Sequence, residues 1–240
     1  MNIALFILSI MLFSACSQIG NTPQVQNAPA STAALPTPGP TPSHDATTVK
    51  YMTAHNFSSL LKPKHDILGF IGPNYQRLYV NIEAITRDKS NVGIYQVKGN
   101  TKVKDNICRF TGTIKVERLV IKQKEQYQKE DSNYNDVRTI GDFYGNYEFI
   151  EDLEKKSCGI FEGRMVLHWF VSKKGKLYYD DIEEYADSYN NNFYMGSWRE
   201  HNKEKKKIAN WGEYRIPNSG DLDNGVGEFH ANEKYSEYGW

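Results

Sequence analysis

Cys158-Gly-Ile-Phe-Glu-Gly-Arg-Met-Val-Leu-His-Trp-Phe-Val171 is the stretch that decides the fold. Phe161, Gly163, Met165, Leu167 and Trp169 fall on one face, while Glu162, Arg164 and His168 alternate with them. That period of two predicts a long β-strand with one buried face. An echo lies upstream, where Cys108 precedes Phe110-Thr-Gly-Thr-Ile-Lys-Val116 with the same Phe-x-Gly-x-apolar-x-apolar wording.

Working outward, further runs alternate in the same way. Strands are expected over 67–71, 77–87, 92–97, 108–121, 141–150, 177–179, 193–200 and 207–216, separated mostly by short Gly, Asn, Asp or Lys turns. Residues 50–61 fit a short helix or an irregular cap. The polar run 122–136 reads as a loop or an exposed strand extension, and 180–190 is ambiguous. Eight or nine sequential strands with short connections imply a mainly β, antiparallel meander. Such a sheet avoids exposed edges by closing into a barrel of eight or nine strands, or by forming a two-sheet β-sandwich.

An aromatic-x-Gly unit recurs at Phe110/Gly112, Phe143/Gly145, Phe161/Gly163 and Tyr194/Gly196. Glycine weakens a strand interior, so its repetition there points to sharp bends or close backbone approach. That favours the barrel, which in shape resembles the lipocalin-like group. The resemblance is architectural: lipocalins carry a Gly-x-Trp on their first strand, whereas Gly196-Ser-Trp198 comes late in this chain.

The N-terminus carries a cellular address. Ile3 to Phe13 is a largely apolar run, too short to span a bilayer and suited to a signal-peptide core. Phe13-Ser-Ala-Cys16 follows and resembles the bacterial lipobox. That resemblance implies a signal peptide over 1–15 and lipidation of Cys16. Ser17 after the cysteine resembles the pattern exported to the outer membrane. The chain is thus expected in the bacterial cell envelope, held to the membrane by an N-terminal lipid anchor. Several acyl chains anchor stably, whereas one is marginal at about 0.8 kcal/mol per buried CH₂. Residues 16–47 hold six prolines among Ala, Ser, Thr, Gln and Asn, a composition that forms a tether and not a core. A single β-rich domain is expected over 48–240.

Lys+Arg and Asp+Glu are both 29, giving a formal net charge of +0. That balance argues against a nucleic-acid partner, whose binding depends on phosphate neutralisation. With Cys16 assigned to lipid, Cys108 and Cys158 remain as an even pair in an exported protein, and a disulfide is the leading reading. Two buried free thiols are the alternative.

Candidate chemistry concentrates near the C-terminus. Asp221, Asp223 and Glu228 lie in Asp-Leu-Asp-Asn-Gly-Val-Gly-Glu, which partly resembles an oxygen-ligand Ca²⁺ loop. The bland reading is a turn-rich segment whose carboxylates cap backbone amides. The same residues are the carboxylates an envelope glycan hydrolase would use. The closing Trp211-Gly-Glu-Tyr-Arg-Ile-Pro-Asn-Ser-Gly-Asp-Leu-Asp223 resembles endings of bacterial exported proteins without a known activity. His168 reads as solvent-facing or hydrogen-bonded, and Asp180, Asp181, Glu183 and Glu184 as a solvated acidic face. No phosphate-binding glycine loop, nucleophile elbow or zinc motif is present. The expected role is binding of an apolar ligand or an envelope protein. Glycan hydrolysis and a purely structural lipoprotein are the alternatives.

Overall fold

The computed structural model describes residues 44–122 and 132–240. Asp45 caps the first helix, α1 (Ala46–Ala54), by accepting the Thr48 N–H at 2.7 Å. A single turn, α2 (Ser58–Leu61), follows. The strands are β1 (Ile67–Ile71), β2 (Gln76–Arg77), β3 (Tyr79–Arg87), β4 (Ile94–Val103), β5 (Asn106–Ile121), β6 (Val137–Glu151), β7 (Gly159–Ser172), β8 (Leu177–Tyr179), β9 (Asn191–Glu200) and β10 (Lys206–Glu213).

All ten strands belong to one sheet, in the order β2-β1-β10-β9-β7-β6-β5-β4-β3, with β8 paired to β7. Every pairing is antiparallel, so the mainly β meander stands. The closed barrel and the sandwich do not. The sheet curls through 224° and stays open as a half-barrel. At the seam, β2 has only two residues and runs straight on into β3. Across it the Leu78 N–H donates to the Gly69 carbonyl at 2.9 Å.

The helices do what closure would have done. Met52, Phe57, Leu60 and Leu61 bury their side chains in the same core as the strands. Arg87 of β3 donates to the Met52 and His55 carbonyls at 3.1 and 3.0 Å, which ties the end of α1 to that edge strand. The Phe57 N–H donates to the Tyr95 hydroxyl at 3.3 Å.

The interior is filled. Trp169, Trp211, Tyr95, Tyr194, Phe143 and Phe149 are all fully buried. The recurrent glycines make room for these rings. Phe149 stands opposite Gly112, Trp169 opposite Gly141, and Tyr147 opposite Gly163. A Cβ placed on Gly141 would lie 2.9 Å from Trp169 Cε2. At Gly163 the obstacle is backbone, because the Gly196 Cα would be only 2.6 Å away. Gly163 and Gly196 face each other across β7 and β9.

Strand β7 has two partners along one edge, β9 over its first half and β8 near its end. At the break between them, the side chain of Asn191, the first residue of β9, takes the place of ladder bonds. Its side chain accepts the His168 N–H at 2.6 Å and donates to the His168 carbonyl at 3.0 Å. The segment 180–190 forms turns, with neither helix nor strand. A smaller apolar cluster lies where Phe229, Tyr235 and Trp240 pack against Phe70, Ile216 and Leu222.

The two mouths of the half-barrel differ. The chain enters beside the C-terminal end of β5, where Thr48 Oγ1 accepts the Leu119 N–H at 2.9 Å. The helices plug that mouth. There Glu213, completely buried, accepts the Lys64 and His65 N–H groups at 2.7 and 2.8 Å and the Tyr179 hydroxyl at 3.1 Å. Among the described residues, the opposite mouth, formed by the β1–β2, β4–β5, β6–β7 and β9–β10 connections, carries no α-helix, and only the 3-10 turn Glu233–Tyr238 reaches its rim.

Candidate functional site: the unplugged mouth

Parity along β6 places the central residue of this mouth. Phe143, Gly145, Tyr147 and Phe149 face inward, and Glu151 continues the same face for one more step. A carboxyl group thereby ends an aromatic row and is only 3% exposed. Thr101 donates its hydroxyl to Glu151 Oε1. The Gly159 N–H and the Trp198 indole N–H donate to Oε2 at 2.7 and 3.0 Å. Burial raises the Glu151 carboxyl above its ordinary range, and these three hydrogen bonds oppose that shift without cancelling it. His201 bonds the Glu151 backbone carbonyl through Nε2 at 3.0 Å.

Cys108 and Cys158 form a disulfide here, with a Cα–Cα distance of 5.9 Å, as the even pair implied. It joins the start of β5 to the residue before β7, beside the Glu151 side chain. The ligand atoms of Cys108, Glu151 and Cys158 all lie within 4.8 Å of one another. With both sulfurs committed to the disulfide, one carboxylate is the only free donor of the three, which is no metal site.

Above Glu151 opens a pocket of about 390 Å³. Phe161, Trp198, Ile71 and Val103 give it apolar walls, and Asn74, Gln76 and Asn106 add polar groups. Lys207 Nζ lies over the Trp198 ring, 5.1 Å from its centroid. The C-terminal segment reaches this rim. Gln76 donates to the Tyr238 carbonyl at 2.7 Å, and the Trp240 indole donates to the Tyr75 carbonyl at 2.6 Å.

The other residues singled out from the sequence lie elsewhere. Cys16 is outside the described residues. Asp221 is exposed and pairs with Lys234 and the Tyr235 hydroxyl. Those bonds hold its carboxyl below the usual range. Asp223 pairs with Arg215 Nη1 at 2.7 Å and accepts the Gly225 and His230 N–H groups. Arg215 also takes the Gly225, Val226 and Gly227 carbonyls. Of the three carboxylates that the spacing offers to Ca²⁺, Asp223 is bound by the Arg215 guanidinium and Asp221 by the Lys234 ammonium. Glu228 is exposed, and among the described residues Asp221, Asp223 and Glu228 form no metal-ligating group. The turn-rich, capping reading describes this segment.

His168 lies on the outer face and bonds Asp142 Oδ1 through Nδ1 at 2.6 Å. Burial would raise the Asp142 carboxyl, but the bonds from His168 and Lys122 prevail and hold it below its usual range. In the acidic run, Asp181 pairs with Lys64 at 3.4 Å and Glu184 accepts the Tyr214 hydroxyl at 3.1 Å.

Sequence reasoning missed Glu151, Thr101, Trp198 and Lys207. For Glu151 the signal was available: an acid standing in parity with Phe143, Tyr147 and Phe149. No protein-family model matches this chain, and no curated protein or solved structure is significantly similar to it.

Proposed function

We propose that this protein is a lipid-anchored binding module of the bacterial envelope that holds a small ligand in the unplugged mouth of its half-barrel. The pocket over Glu151 and Trp198 carries this reading. At about 390 Å³ it falls within the usual range for small-molecule sites, roughly 300–1,000 Å³. Among the described residues aromatic side chains occupy the interior, which favours a ligand seated at the mouth over an apolar ligand deep in the barrel. The lipobox-like Cys16 and the proline-rich tether support the anchor.

The filled interior also favours a second reading, in which the domain is a scaffold whose mouth loops engage an envelope protein. Screening purified protein by native mass spectrometry against envelope extracts separates the two. A small-molecule adduct lost on blocking the pocket supports the first, and a protein-sized adduct without it supports the second. Fractionation of cells carrying Cys16→Ser tests the anchor: release from membranes is expected, and a variant still bound to membranes removes it.

A further inference from the structure

We propose that the mouth pocket takes a ligand bearing an alkylammonium group, seated against the Glu151 carboxylate and the face of the Trp198 indole that is hydrogen-bonded to it, with Lys207 occupying that aromatic face in its absence. The inference rests on the reading of this mouth as a binding site and adds the chemistry of the ligand.

Glu151 supplies the first observation. It is buried and accepts three hydrogen bonds, all from neutral donors. Among the described residues no lysine or arginine forms a salt bridge with it. A carboxylate offers about four lone-pair sites, so one remains. Buried charges are ordinarily paired, because desolvation is costly without a counter-ion. The contrast with Glu213 is informative. That carboxylate is also bonded by neutral donors, but it is sealed beneath the segment that it pins. Glu151 lines an open pocket.

Trp198 supplies the second observation. A lysine ammonium already sits over its ring, so this face accepts a cation in the molecule itself. Cation–π attraction strengthens as the pair is desolvated, from about 0.5–1 kcal/mol at exposed sites to about 2 or more. An ammonium held deeper, against both the ring and the carboxylate, gains what an exposed lysine at the rim does not. The Phe161, Ile71 and Val103 walls suit the alkyl substituents of such a group. An anion would meet an unpaired carboxylate at the floor, and a neutral polar ligand would leave that charge uncompensated.

The test uses the purified full chain and two probes of one shape, choline and its uncharged carbon analogue 3,3-dimethylbutan-1-ol, with binding followed by titration calorimetry. Choline is expected to bind at least about tenfold more tightly, equivalent to about 1.4 kcal/mol. Glu151→Gln should erase that difference. Lys207→Ala should tighten choline several-fold, because it frees the ring face and removes a like charge. The lysine is exposed, so this second variant tests the inference even if the glutamate variant folds poorly. Choline binding no tighter than its analogue, or weakened by Lys207→Ala, overturns the inference. An uncharged ligand retained in the pocket of protein from its host overturns the ammonium assignment while leaving the binding site in place.

Discussion

Replacing Gly163 by alanine tests the packing that curls the sheet. An added Cβ would lie 2.6 Å from the Gly196 Cα and closer still to the Met195 carbonyl. Carbon atoms pack comfortably at about 3.5–4.0 Å, so β7 and β9 must separate locally by about 1 Å. Both obstacles are backbone, and both strands lie well inside the sheet, so no flexible side chain can yield. Overpacking of this kind costs about 1–3 kcal/mol, and a lost ladder hydrogen bond adds about 1 kcal/mol. An expected loss of about 3 kcal/mol is a large share of the ~5–15 kcal/mol available to a typical protein. For a domain of this size it corresponds to a fall in Tm of roughly 6–12 °C. Gly227→Ala is the control, since its Cβ would meet only the end of the Asp187 side chain, at 3.0 Å. That change should stay within about 0.5 kcal/mol. Urea unfolding with the disulfide intact measures both. If Gly163→Ala is as stable as the control, close approach of β7 and β9 is not what demands the glycine.

The disulfide should stabilise the domain by about 4 kcal/mol in chain-entropy terms, given its 50-residue separation. Unfolding of oxidised and reduced protein measures this, and equal stability would remove the claim. Glu151 should leave a signature in pH. Its folded carboxyl is raised above the ordinary 4.5, so its contribution is present in the acid form and lost as pH rises through the folded value. Glu151→Gln should therefore gain stability relative to the parent as pH rises from about 4.5 through the folded value, and a constant offset would refute the burial argument. Asp142 acts in the opposite sense. Held below 3.8, it stabilises above that value and loses its contribution as pH falls through its lower folded value. Asp142→Asn should flatten the acid limb of the unfolding curve, and an unchanged limb would count against the His168 and Lys122 bonds.

Strand parity made much of this fold legible. The period of two in 158–171 fixed which residues face inward, and the aromatic-x-Gly repeats marked where rings overlie neighbouring strands. Parity assigns a face, not a partner. The β1–β10 pairing joins segments over a hundred residues apart, and no local pattern specifies it. Closure failed as an expectation for a related reason. Whether the sheet meets itself depends on its edges, and here two short helices fill the plugged mouth. Their segment lacks a strong helical period because Phe57, Leu60 and Leu61 are held by tertiary packing. The site was half legible. The cysteine pair could be read from export and number, whereas the pocket needed Thr101, Glu151 and Trp198 to converge from three strands. The Asp-rich ending stood out through spacing alone, and in the fold Arg215 pairs with Asp223 while Lys234 and Tyr235 hold Asp221.

Native mass spectrometry of the intact protein purified from its host, beside an Asn74→Trp variant that narrows the mouth, tests the binding role most directly. The expected result is a lipid mass on Cys16 in both proteins, with a small noncovalent adduct on the parent that the variant lacks. A parent and variant with identical adducts, or with none, would contradict binding at this mouth.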